Sequence, residues 1–204
     1  MPRTRTRSLA AALAVSAVST ACATSFMPPP RGVEDGARSA ASYSGSVRVS
    51  LRGPGLRARA GALVAFARPD RLRIEVPGPG GLRLAAVCRD GLLTAAFPGD
   101  RAVFSAAASA ESLESLLGVR LTPAEVMDLL VGVAPAGVRS YQARWGATLP
   151  QAVVVVLGDG TRLGVEVLDA QGGAVLPDAA FDAPPHDGYR AIAADEARRL
   201  WSGK

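Results

Sequence analysis

The side chains able to do acid–base or covalent chemistry are few: one histidine, two cysteines and 18 Asp and Glu residues in 204. His186 stands beside Asp187 in the run Ala183-Pro184-Pro185-His186-Asp187-Gly188. A lone imidazole in a proline-rich turn is more often a surface group than a base. The paired carboxylates Asp195 and Glu196 are consecutive, so on a helix they point apart. No Gly-x-Ser-x-Gly, His-Glu-x-x-His or Cys-x-x-Cys motif occurs. Gly78–Gly81 leads into a strand-like run and not a helix, so it is no phosphate cradle. The expectation is a non-enzyme with no catalytic residues, no metal and no cofactor. Cys88, inside the apolar run Leu84–Arg89, reads as a small buried core residue. Cys22 is the one side chain whose setting suggests covalent modification.

That setting is the N-terminal segment. Arg3, Arg5 and Arg7 make a positive n-region, Leu9–Val18 a short apolar core, and Ser19-Thr20-Ala21 a small-residue stretch before Cys22. Residues 1–21 therefore read as a secretory signal, too short for an ordinary membrane span. The arginines alternate with other residues, so a twin-arginine signal is not supported. The site resembles the lipobox of bacterial lipoproteins. The resemblance implies cleavage after Ala21 and diacylglycerol attachment at Cys22. It departs from the usual pattern at Ser19, where a leucine is customary, and Val18 is the nearest bulky residue. A plain signal peptide, or a Cys22–Cys88 disulfide, competes with lipidation. Residues 22–40 hold three prolines and no apolar face, which reads as an acylated cysteine followed by a flexible tether. Ala23, which is not Asp, implies delivery to the outer membrane, with the domain anchored by lipid on the periplasmic side.

The formal charge is +5, from 23 basic and 18 acidic residues. Three arginines leave with the signal, so the processed chain carries 20 against 18, a net +2. That balance and export both argue against a nucleic-acid partner. Arginine so heavily preferred over lysine is a compositional bias and implies no function by itself.

The remaining residues suffice for one domain with a real core, expected over 41–186, with 187–204 as a tail bearing a short helix over Ala193–Trp201. Thr122, Pro123 and Glu125 form a helix start with a capping box, Val126, Leu129 and Leu130 recur at helical spacing, and Gly132 stops the helix. Ser109 caps an earlier helix that carries Leu113, Leu116 and Leu117 on one face and ends at Gly118. Neither helix would be stable alone in water. They must lie on a sheet. Val47, Val49 and Leu51 alternate with arginine and serine, and Leu72, Ile74 and Val76 alternate with Arg71, Arg73 and Glu75. Arg89-Asp90-Gly91 joins Leu82–Val87 to Leu92–Phe97 as a hairpin. After Pro135, strands are expected over Tyr141–Trp145, Gln151–Leu157 and Thr161–Leu168. The wholly apolar run Ala152–Leu157 is expected to be covered on both faces. Arg48, Arg52, Arg57, Arg59, Arg71 and Arg73 mark one sheet face, read as a solvated convex surface. The fold class is α+β: a curved antiparallel sheet, or half-open β-barrel, with a helical lid inserted mid-sheet.

From Leu72 to Gly132 the order of strand, Gly/Pro loop, strands, leucine-bearing helix and second helix resembles the LolA/LolB family of lipoprotein carriers and receptors, most of all its membrane-anchored LolB type. The resemblance covers roughly 42–186. It implies an apolar cavity that holds the acyl chains of lipoproteins or lipids during delivery to the outer membrane, with a soluble periplasmic carrier as a partner and a monomer as the working form. The implied cavity residues are Val47, Val49, Leu51, Leu72, Ile74 and Leu84 in the floor and Leu113, Leu116, Leu117, Leu129 and Leu130 in the lid. Any sheet–helix core would use the same residues, so a filled core and a structural or regulatory lipoprotein remain the competing reading. The family's membrane-insertion loop matches Pro79, Gly80, Gly81 and Leu82. The protruding leucine of that loop is replaced by Gly80, and Leu82 is the nearest bulky residue. The need for such a carrier is physical. An acyl chain of ~15 methylenes costs about 12 kcal/mol to expose to water at ~0.8 kcal/mol per methylene.

Overall fold

Aliphatic residues at every second position, broken by Gly, Pro and Asp turns, make the chain fold as successive hairpins. A computed structural model describes residues 32–53 and 56–202. The signal segment, Cys22, most of the tether and Pro54-Gly55 lie outside the described residues. The elements in order are α1 (Val33–Arg38), β1 (Ser42–Gly53), β2 (Leu56–Ala67), β3 (Arg71–Gly78), β4 (Gly81–Arg89), β5 (Leu92–Phe97), β6 (Ala102–Ala107), α2 (Ala110–Leu117), α3 (Pro123–Leu130), β7 (Ser140–Trp145), β8 (Pro150–Val156), β9 (Arg162–Gly172), β10 (Arg190–Ala191) and α4 (Ala194–Ser202). The strands form one open sheet in the order β10-β6-β5-β4-β3-β2-β1-β9-β8-β7. Only β10 is parallel to its neighbour, β6. The class is α+β, a curved antiparallel sheet with helices inserted between β6 and β7.

The meander places the β1–β2, β3–β4, β5–β6 and β8–β9 turns at one end of the sheet. The β2–β3 and β4–β5 turns are at the other. Asp90 and Gly91, at φ 51° and 74°, make the β4–β5 turn in the left-handed conformation that a two-residue hairpin demands. One sheet face carries Val47, Leu51, Val64, Phe66, Leu72, Leu84, Leu93 and Phe97, all buried. The helices cover that face, with α2 packed on α4 and α3 against β8. Cys88 lies in the same core with no disulfide partner among the described residues, 2 % exposed, and burial pushes its pKa up to about 12.

The structure departs from the sequence reading in four places. The end of the 22–40 tether is helical: in α1 an ion pair between Glu34 and Arg38 at 2.8 Å spans one turn, and Ala37 is buried in the core. Residues 187–204 are not a tail through their described length. β10 joins the sheet, and Ala197 and Trp201 of α4 are buried. The run Ala152–Leu157 is covered on one face only. Val153, Val155 and Leu157 are buried, whereas Ala152, Val154 and Val156 are half-buried. Finally, the arginine stripe is not uniformly solvated. The segment 174–186 crosses the convex face of β3 and β4. Arg71 binds the Asp178 carboxylate, Arg73 Nη1 donates to the carbonyls of Ala180 (3.1 Å) and Asp182 (3.3 Å), and Arg89 pairs with Asp182 at 2.9 Å. Phe181, completely buried, sits beneath Arg71, whose guanidinium carbon is 5.6 Å from the ring centre. This clip covers the outward side chains of β4, so Ala85 and Val87 are buried as well. Proline, alanine and aspartate without periodicity gave no sign of it. Phe181→Ala should lower stability by about 3–5 kcal/mol, the usual cost of emptying a buried aromatic site. Urea unfolding with an unchanged slope would establish that value.

Candidate functional site

The lid over the concave face is set by its caps. Ser109 Oγ accepts from the Ser112 N–H at 3.3 Å at the start of α2. Gly118, at φ 78°, ends it with an N–H to the Glu114 carbonyl at 2.8 Å. Thr122 Oγ1 accepts from the Glu125 N–H at 3.2 Å, and the Glu125 carboxylate accepts from the Thr122 N–H at 2.8 Å, a complete capping box. At the far end of α3 the Val133 N–H donates to the Asp128 carbonyl (2.8 Å) and the Gly132 N–H to that of Leu129 (3.1 Å), a Schellman ending. Gly132 is required twice over. Its φ is 82°, and a Cβ there would lie 2.5 Å from the Trp145 ring.

The helices are also pinned to the sheet. The Ala108 N–H donates to the Gly91 carbonyl at 2.8 Å, so α2 begins at the β4–β5 end. Asp128 pairs with Arg68 at 2.6 Å, so α3 returns to that same end, beside the β2–β3 turn. The Arg68 Nε also donates to the Ala40 carbonyl at 3.3 Å. The link 118–122 therefore lies over the opposite end of the sheet.

Beneath that link is a cavity of about 100 Å³, partly open to solvent. Its floor is Val47, Val49 and Leu51 of β1, Ala60, Ala62 and Val64 of β2, Ile74 and Val76 of β3, and Leu163 and Val165 of β9. Its roof is Leu117, Val119, Leu121, Val126, Leu129 and Leu130, with Trp201 of α4. The surface that the lining presents is apolar and holds no titratable side chain, and the one polar group among the lining side chains, the Trp201 indole N–H, is buried without a hydrogen-bond partner. What the wall can do is take apolar surface out of water. An apolar cavity of roughly 150 Å³ accepts benzene. The present space is smaller than that.

Of the residues named from sequence, Val47, Val49, Leu51, Ile74, Leu117, Leu129 and Leu130 come together around this cavity. Leu72, Leu84, Leu113 and Leu116 do not. They are at most 2 % exposed and pack in the solid core away from the wall. For three of them the physical reason is depth along the element: Leu72 lies at the β2–β3 end of its strand, and Leu113 and Leu116 precede Leu117, the α2 leucine nearest the link. Leu84 stands opposite Val76, at the cavity end, but on β4, one strand beyond the β1, β2, β3 and β9 floor. Sequence reasoning did not place Ala60, Ala62, Val64, Val76, Val119, Leu121, Val126, Leu163, Val165 or Trp201 in the cavity wall, although the alternation of Ala60 and Ala62 with Arg57, Arg59 and Gly61 was legible. His186 is exposed, and its Nδ1 donates to the Pro184 carbonyl at 2.7 Å. Asp195 and Glu196 pair with Arg199 and Arg190 at 3.7 and 2.5 Å. None of the three lines the cavity.

The loop named for membrane insertion is a hairpin turn. Pro79 and Gly80 form it, and Gly81 and Leu82 already pair with Gly78 and Pro77 across β3–β4. Gly80 has φ 86° with open space where a Cβ would stand. A leucine there would meet no clash but would cost on the order of 1 kcal/mol in backbone strain. Leu82, 37 % exposed, is the bulky apolar group at the tip. Ala62→Leu should fill the cavity. The variant is expected to fold with equal stability, or up to about 2 kcal/mol more. Thermal unfolding beside the parent checks this.

No protein-family model matches the chain, and no curated protein matches it. Among solved structures, a DUF1329 family protein from Desulfovibrio piger is similar at 12 % sequence identity, with a TM-score of 0.44 and with 77 % of this chain and 95 % of that chain covered.

Proposed function

We propose that the chain is a non-catalytic lipoprotein, anchored through Cys22 on the periplasmic side of the outer membrane, that shields acyl chains of lipoproteins or lipids. The observation that carries this reading is the wholly apolar cavity between the sheet and a separately capped helical lid. A flexible chain of methylenes needs area and no directional bonds, and Val, Leu and Ala walls supply that. The order of motifs from Leu72 to Gly132, which resembles the LolB type, supports the same reading. On it, a soluble carrier hands over cargo, and the exposed tip at Pro79, Gly80, Gly81 and Leu82 meets the bilayer.

A second reading, a structural or regulatory lipoprotein that keeps its cavity closed, is favoured by the small volume of about 100 Å³ and by glycine at position 80. An acyl-transfer assay separates the two. The processed chain with Cys22→Ser is mixed with an acylated lipoprotein held by a soluble carrier, and the location of the lipoprotein is followed by gel filtration. Transfer to this chain is expected. Leu117→Asp, on the half-buried rim of the roof, should reduce it by at least about tenfold while the fold persists, because a carboxylate in an apolar wall must stay hydrated. No transfer to a well-folded chain would leave the second reading.

A further inference from the structure

The convex arginines divide into two groups. Arg71, Arg73 and Arg89 hold the 174–186 clip, and Arg48 pairs with Glu166 at 2.8 Å. Arg52, Arg57, Arg59 and Arg162 do none of this. Among the described residues no carboxylate lies within ion-pair distance of any of them. Their placement is unusual. Arg52 is directly opposite Arg57 on β2 and directly opposite Arg162 on β9, so three arginines stand side by side across three strands. Leu51 and Leu163 line the cavity, so their neighbours Arg52 and Arg162 face outward on the pleat. Arg59 is two residues along the same face. Like charges directly opposite in a sheet repel, so the row is costly unless something anionic covers it.

Beside the row runs a groove of about 410 Å³ lined by Arg48, Arg52, Arg59 and Arg144. Its one acid, Glu166, is already taken by Arg48. The Nε of Arg144 is buried there without a hydrogen-bond partner. The row stands at the β1–β2 end of the sheet. That end also holds the cavity and the β3–β4 turn, where Leu82 and the exposed prolines Pro77 and Pro79 protrude.

We infer that this end of the sheet docks on the surface of an anionic bilayer, with Arg52, Arg57, Arg59 and Arg162 pairing with lipid phosphates and the Leu82 tip entering the headgroup layer. Guanidinium groups match phosphate oxygens two at a time. The four are exposed and spread over three strands rather than gathered into a cage. That arrangement fits a surface of repeated phosphates better than a single enclosed anion. Docking in this orientation turns the cavity toward the membrane, where an acyl chain would leave or enter.

The test uses the processed chain with Cys22→Ser, so that no anchor contributes, and vesicles of phosphatidylcholine with or without phosphatidylglycerol. Sedimentation should show binding only to the anionic vesicles, lost at high salt. Arg52→Ser with Arg162→Ser should lower the partition constant by about tenfold or more, from roughly fivefold per arginine at an anionic surface. Arg52→Ser alone should lower it by roughly fivefold, whereas Arg198→Ser, on exposed α4 and of the same net charge, should leave it nearly unchanged, which separates the row from net charge. Thermal unfolding of the double variant should match or exceed the parent, since repulsion is relieved. Fatty-acid binding should persist in it, because neither arginine lines the cavity. Equal binding to neutral vesicles, as large a loss with Arg198→Ser as with Arg52→Ser, or no binding to any vesicle would overturn the docking proposal without touching the acyl-binding one.

Discussion

The structure depends on one packing mismatch. Across β1 and β2, Val47 faces Ala62, Val49 faces Ala60 and Leu51 faces Ala58. Large side chains on one strand meet methyl groups on the next, and the curved floor stays open below the roof. In an ordinary sheet–helix core such alanines would be answered by larger residues from above. Here the roof above them is assembled from four pieces: Leu117 of α2, Val119 and Leu121 of the non-helical link, Val126, Leu129 and Leu130 of α3, and Trp201 of α4. They close over the alanines without filling the space above them.

The remainder of the fold holds that mismatch in place. At the β2–β3 end the roof is fixed: Arg68 ties Asp128 to the sheet, and Gly132 lets Trp145 close on the end of α3. At the cavity end, no comparable ion pair joins roof and floor among the described residues. The convex side is stiffened independently by the clip around Phe181. The sheet is braced from outside, and the ion pair that ties the helical roof to it stands at one end only.

Much of this was legible in the sequence. The capping box at Thr122 and Glu125, the stops at Gly118 and Gly132, and the Asp90-Gly91 turn each have a mechanism that acts locally, so they could be read without the fold. Alternation gave the faces of β1 and β3. What was not legible was depth. Leu113, Leu116 and Leu117 share one helical face, and periodicity cannot say that two of them fill a solid core and the third a cavity wall. Alternation with Arg57, Arg59 and Gly61 put Ala60 and Ala62 on the inner face, but space is made by what is missing, so the pattern could not show that nothing larger fills the room above them. The clip at 174–186, α1 and β10 were also silent. Their packing rests on distant partners, such as Arg73 for the Ala180 carbonyl, and not on a repeating pattern.

The proposed function requires the cavity to take up methylene chains, and the most direct measurement is calorimetric titration of the processed chain with saturated fatty acids of increasing length. Each added methylene should tighten binding by about 0.8 kcal/mol, roughly fourfold, until the cavity is full. Affinity that ignores chain length, or no heat of binding at any length from a folded chain, would contradict it.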